Sequence, residues 1–118
     1  MNIEIPGVDV KKGLLLFEDD EEIYLSVLQS YASSMPEALE TLRNVSAETL
    51  PKYLIKIHGL KGTSANIGAE DIRAKAKEIE VFAKAGDLDG LLARNGAFVK
   101  EVEELLKNIN TWIKNNLK

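Results

Sequence analysis

The sequence predicts an all-α protein: an antiparallel up-and-down four-helix bundle with a short extra helix at the N-terminus. Three observations carry that prediction. Only three prolines occur in 118 residues, and no alternating β-branched run is long enough to suggest a strand. Four long segments show helical patterning, punctuated at their ends by Asp, Ser, Thr or Gly. The connections between them run to about two to five residues, and connections that short make neighbouring helices antiparallel.

The first stretch, "IPGVDV", reads as extended chain turning at Pro6-Gly7. Asp9 then caps a short helix, about 9–17, with Val10, Leu14 and Phe17 on one side. The acidic run "FEDDEEIY" lacks the spacing and the glycine of a calcium loop. It reads instead as a helix start, where negative charge favours the macrodipole. The second helix opens near Asp19 or Asp20 and carries Ile23, Leu25, Val27, Leu28 and Tyr31. Pro36 is expected to kink it, or to break it for one turn, before "EALETLRNV" continues.

Ser46 or Thr49 caps the third helix, and Pro51 is tolerated because first-turn amides lack helical partners. That helix passes through His58 to about Ile67, where Gly68 is a natural stop. "AEDIRAKAKEIEVFAKAGD" is rich in helix formers and ends at Gly86. Asp87 caps the last helix, which reaches about Asn115 despite Gly90 and Gly96. Trp112 is expected to pack that helix onto the rest. The bundle thus covers about 19–115 of a single domain, 1–118, without internal repeats.

Composition removes several classes of function. A formal charge of −4 argues against general nucleic-acid binding. The absence of cysteine excludes disulfides and thiolate metal sites, and one histidine excludes a two-histidine metal motif. No metal or cofactor is therefore expected on this chain. The longest apolar run, Leu14 to Phe17, is far short of a membrane span. "MNIEIPGVDV" is neither basic nor followed by a signal-like apolar core, so the cytoplasm is the expected compartment.

The one histidine lies in "LPKYLIKIHGLKGTSANI". On a wheel at ~100° per residue, Tyr53, Ile57, Leu60, Ser64 and Ile67 form the core stripe, with Leu50 at its edge. His58 falls roughly 120–140° from the centre of that stripe, on the solvent side. Its wheel neighbours are Leu54, Ile55, Lys61, Gly62 and Ala65, small or apolar except for the lysine. Each glycine costs about 1 kcal/mol relative to alanine within a helix. Gly62, one turn after His58, leaves out a side chain that would crowd the imidazole. Leu54, Ile55 and Ala65 would then make an exposed apolar patch around it, suited to docking.

Lys61 stands at i+3 from His58, on the same face. A neighbouring cation disfavours the imidazolium, so the pair makes a poor general base. It makes better sense if the imidazole acquires negative charge. A phosphoryl group there would put anionic oxygens within reach of the ammonium. An incidental surface histidine beside a solvated lysine would have the same spacing.

"HGLKGTSANIGA" resembles the signature of histidine phosphotransfer (HPt) domains: His-x-x-Lys-Gly, then small residues and a later glycine. "IPGVDVKKGLLLF", "DEEIYLSVLQSY" and "AKEIEVFAKAGDLDGL" are similar to that family's first, second and post-histidine helices, so the resemblance covers nearly the whole chain. It implies that His58 is the phosphoacceptor, that Lys61 steadies the phosphoryl oxygens, and that Gly62 keeps the approach clear. It also implies that Glu80, 22 residues after His58, accepts from Nδ1 and leaves Nε2 as the nucleophile. Lys84, one turn on, would add positive potential. Gly59 departs from the family, many of whose members carry a polar or larger residue there.

The function so implied is that of a phosphorelay intermediate, a phosphocarrier rather than a kinase, since the chain has no Gly-rich ATP-binding loop. Its partners would be response-regulator receiver domains, which would supply the Mg²⁺, and the chain would work as a monomer. One alternative is the excised phosphoacceptor domain of a chemotaxis-type or hybrid sensor histidine kinase, with that kinase as partner. Another is a helical interaction module that is never phosphorylated.

Overall fold

A computed structural model describes residues 2–117, and those residues form five helices and no strand. They are α1 (Val10–Leu15), α2 (Glu21–Arg43), α3 (Leu50–Ile67), α4 (Glu70–Lys84) and α5 (Leu88–Asn116). α2 packs on α3 and α5, α4 packs on the same two helices, and α1 lies against α3 and α2. At a rise of 1.5 Å per residue, the 29 residues of α5 run to ~43 Å. That nearly fills the 45 Å long axis of the molecule.

The helix starts follow local chemistry. Asp9, Asp20 and Asp87 each accept a backbone N–H three residues on, capping α1, α2 and α5. Glu21 and Glu22 occupy the first turn of α2, as the acidic run suggested. Thr49 is the N-cap of α3 but makes no side-chain cap bond. Its hydroxyl instead accepts from the Ser46 amide and donates to the Asn44 carbonyl, tying the α2–α3 loop to itself.

One expected break is absent and one boundary shifts. α2 runs unbroken through Pro36, which lies exposed on its outer side. Proline costs about 3 kcal/mol inside a helix. Yet Ala38, Leu39 and Leu42 beyond it, like Met35 just before it, are buried on the same face as Tyr24, Leu28 and Tyr31. Burying a large aliphatic side chain contributes about 1.5–3 kcal/mol, so Leu39 and Leu42 together offset the local penalty. α1, in turn, stops at Leu15 rather than near residue 17. Glu18 and Asp19 take positive φ, 55° and 61°, and turn the chain sharply into α2. Phe17 sits in that turn, but still packs on the core with Val10 and Leu14.

The buried polar groups of the core are paired. Tyr31 shares a hydrogen bond with Ser64 at 2.9 Å, joining α2 to α3. The Tyr53 hydroxyl donates to Asn95 Oδ1 at 2.7 Å, and Asn95 Nδ2 donates to the Leu42 carbonyl near the end of α2. Tyr24 donates to the Ile67 carbonyl. Among the described residues no buried side-chain nitrogen or oxygen lacks a partner. Trp112 is buried in α5, and Ile23 of the anticipated α2 face is exposed instead.

α3 and α4 are separated by only two residues. Gly68, at φ 86°, ends α3 in the left-handed conformation, and buried Ala69 starts α4. A Cβ on Gly68 would lie 2.1 Å from the Asp9 carbonyl oxygen, so α1 closes directly over this turn. The Asp9 amide returns a hydrogen bond to the Gly68 carbonyl.

Candidate functional site

The turn at Gly68 sets which residues of α3 and α4 meet. His58 lies nine residues before the last residue of α3, and Glu80 ten after the first of α4. Two helices folding back from so short a turn bring such positions side by side. The core stripe anticipated on α3 is the buried one: Tyr53, Ile57, Leu60, Ser64 and Ile67. His58 accordingly faces outward, its side chain 65% accessible.

Glu80 is the opposite case, a carboxylate only 4% accessible. Its Oε2 lies 2.5 Å from His58 Nδ1, and its Oε1 accepts from Lys61 Nζ at 2.6 Å. Lys84 Nζ stands 3.7 Å from Oε2. Burial pushes the Glu80 carboxyl up. Hydrogen bonds from Lys61 and His58, with the charges of Lys61 and Lys84, outweigh that and hold it below the ordinary glutamate value. An ionised carboxylate only accepts, so Nδ1 carries the hydrogen of the neutral ring and Nε2 keeps the lone pair. Nε2 is the ring nitrogen that Glu80 does not engage.

The local charge also matters. Lys61 and Lys84 set two ammonium groups against one carboxylate, leaving one positive charge beside His58 in a chain of formal charge −4. That balance suits an arriving anion. Among the described residues, no group of three His, Asp or Glu is placed to hold a metal ion. No helix among them is long and apolar enough to cross a membrane.

The structure thus brings His58, Lys61, Glu80 and Lys84 together. Sequence spacing did not reveal that Lys61 is held by Glu80, nor that Lys84 approaches the carboxylate. The i+4 spacing of Glu80 and Lys84 was the available signal for the second contact. The four residues expected to surround the ring differ in exposure. Ile55 is 75% accessible and Gly62 is exposed, whereas Ala65 is half-buried and Leu54 is partly buried against the core. Leu54 follows Tyr53 directly and shares the margin of the core stripe, so the exposed apolar patch is narrower than predicted. The expected crowding also needs correction: a Cβ on Gly62 would meet no atom within 4 Å. The space above Gly62 is open, so a Cβ there would not crowd the ring. Gly59 meets nothing either, and it lines a groove of about 310 Å³ between α2 and α3, with Met35, Ala38 and Ile55.

The site combines an outward-facing imidazole, a ring held at Nδ1 and a net positive surround. The model of the Hpt domain family matches residues 26–112, and the chain belongs to that family. It is also 33% identical over 99 residues to the phosphorelay intermediate protein rdeA of Dictyostelium discoideum. That alignment takes in 83% of this chain but 39% of the relative, so the chain spans about two fifths of the length of the protein it matches. No solved structure matches the chain.

Proposed function

We propose that this chain is a phosphorelay intermediate, receiving a phosphoryl group on His58 Nε2 from a receiver domain's aspartyl phosphate and passing it to another receiver's aspartate. The observation that carries this reading is the Glu80–Nδ1 contact beneath a solvent-facing ring. In the forward step the Nε2 lone pair forms the P–N bond as the P–O bond to aspartate breaks in line. The bonding pair leaves with the donor carboxylate. Nδ1 keeps its proton, and the ring gains a positive charge that Glu80 faces. Such transfer depends on positioning and electrostatics, with Mg²⁺ supplied by the receiver. Lys61 steadies the phosphoryl oxygens, Gly62 leaves the approach open, and Ile55 with Leu54 and Ala65 offers the docking margin.

The same reading makes the chain a carrier without catalytic machinery for ATP, a single cytoplasmic domain, and a monomer. The pairing of α2 and α4 each with α3 and α5 supports an antiparallel up-and-down four-helix bundle. The test is transfer of radiolabel from phosphorylated receivers to wild type and to His58→Gln. Acid-labile, base-stable label on wild type alone is expected; label retained by His58→Gln overturns the assignment.

A second reading is favoured by the carboxylate at residue 80, since chemotaxis-type kinases commonly carry Glu there. In it, the chain is the phosphoacceptor domain of a sensor kinase and its donor is ATP held by another domain. Labelling from an ATP-loaded kinase domain, but not from phosphorylated receivers, would select it.

A further inference from the structure

We infer that Lys84 is the reserve counter-ion of Glu80, closing on the buried carboxylate when Lys61 turns to the phosphoryl group. The inference rests on the phosphoacceptor reading of His58. It assigns Lys84 a positioning role exerted through Glu80, not a direct contact with phosphate.

Glu80 has two oxygens, and the structure gives them three cationic or N–H neighbours. Oε1 is taken by Lys61 and Oε2 by His58 Nδ1. Lys84 waits at 3.7 Å from Oε2, outside hydrogen-bonding distance, with its side chain 62% accessible. A phosphoryl group on Nε2 introduces nearly two negative charges. Lys61, one turn from His58 on the same helix, is the ammonium placed to meet them. Its three N–H donors are then shared between the phosphoryl oxygens and Oε1, and its hold on the carboxylate weakens. A buried carboxylate stripped of a partner is heavily penalised. Lys84 removes that penalty by a shift of about 1 Å, within the reach of a flexible side chain one turn away on α4. The resting arrangement therefore holds one lysine on the carboxylate and a second at its edge, so that the carboxylate keeps an ammonium partner when the first is released.

The test uses the full chain in four forms: wild type, Lys61→Met, Lys84→Met and the double variant. Carboxyl-carbon NMR follows the titration of Glu80 without any phosphoryl group present. With either lysine retained, Glu80 should titrate below the ordinary glutamate value; only the double variant should rise. If Lys61→Met alone reaches the level of the double variant, the inference is overturned. Phosphotransfer gives a second readout. Lys84→Met should slow transfer by about three- to tenfold, Lys84→Arg should restore it, and the slowing should vanish in a Glu80→Gln background. Slowing that persists without the carboxylate would mean that Lys84 addresses the phosphoryl group directly, and would overturn the inference. The titration can thus defeat the role of Lys84 while leaving His58 as acceptor. A wild-type chain that takes no label from any receiver defeats the acceptor reading, and this inference with it.

Discussion

The Tyr24 hydroxyl donates to the backbone carbonyl of Ile67 at 2.7 Å, joining the first turn of α2 to the last residue of α3. The carbonyls at a helix C-terminus lack intrahelical partners, and this buried one is satisfied by a side chain from another helix. Gly13 of α1 closes the same place, its Cβ position 2.7 Å from that carbonyl oxygen. Three helices thus meet at the turn that sets the pairing of His58 with Glu80. Tyr24→Phe leaves the carbonyl buried without its donor, at a cost of about 1–3 kcal/mol. Urea denaturation should show a lower midpoint with an unchanged slope.

All three tyrosines are buried, and burial pushes each phenol up. Tyr24 reaches about 12, with the charge of Asp9 adding to burial. Tyr31 also reaches about 12, although its bond to Ser64 works the other way, and Tyr53 is raised by burial. A phenol whose folded value is raised stabilises the fold fully below its unfolded value, near 10, and that contribution is lost as pH climbs towards 12. Tyrosinate absorbance should therefore stay flat through about pH 10 and then rise together with loss of helical circular dichroism. A gradual rise centred near 10 with the helices intact would contradict the burial of these rings.

Glu80 works in the opposite direction. Its folded value is depressed, so it stabilises the fold above its unfolded value and ceases to do so as pH falls through the folded one. The stability advantage of wild type over Glu80→Gln should shrink as the pH drops below about 4.3. Paired denaturation curves across that range provide the measurement, and an advantage that holds steady through it would show that the carboxylate is not ionised in its pairing.

The glycines divide into two groups with opposite expected effects. Gly68→Ala places a methyl against the Asp9 carbonyl at positive φ, and should cost more than about 1 kcal/mol. Gly59→Ala and Gly62→Ala add a Cβ in open space inside a helix, and should each stabilise by up to about 1 kcal/mol. If Gly62 serves an approaching partner, Gly62→Gln should keep the fold and slow transfer. Thermal melts beside transfer rates separate the two effects.

What was legible in the sequence was mostly local. Asp9, Asp20, Asp87 and Gly68 mark helix ends because capping and left-handed turns involve only near neighbours in the chain. The outward position of His58 follows from the period of a single helix. Pro36 does not break the helix because its penalty is local, whereas the burial of Leu39 and Leu42 that offsets it is tertiary. The double engagement of Glu80 was hidden for a similar reason. Which turn of α4 meets which turn of α3 depends on the close packing of Gly68 against Asp9, and no spacing within either helix records that. The family resemblance supplied the His58–Glu80 contact, but not the hold of Glu80 on Lys61.

The two-oxygen grip on Nδ1 and Lys61 leaves the imidazole presenting one reactive atom, on the outside of a single helix. A carrier working as proposed can seat one receiver there at a time, so the giver must depart before the taker arrives. Double-displacement kinetics follow, with parallel reciprocal plots and no ternary complex. Because the same atom at the same angle serves both partners, the site has no built-in sense of forward and back. The relative energies of the two aspartyl phosphates, not the carrier, decide which way the signal flows.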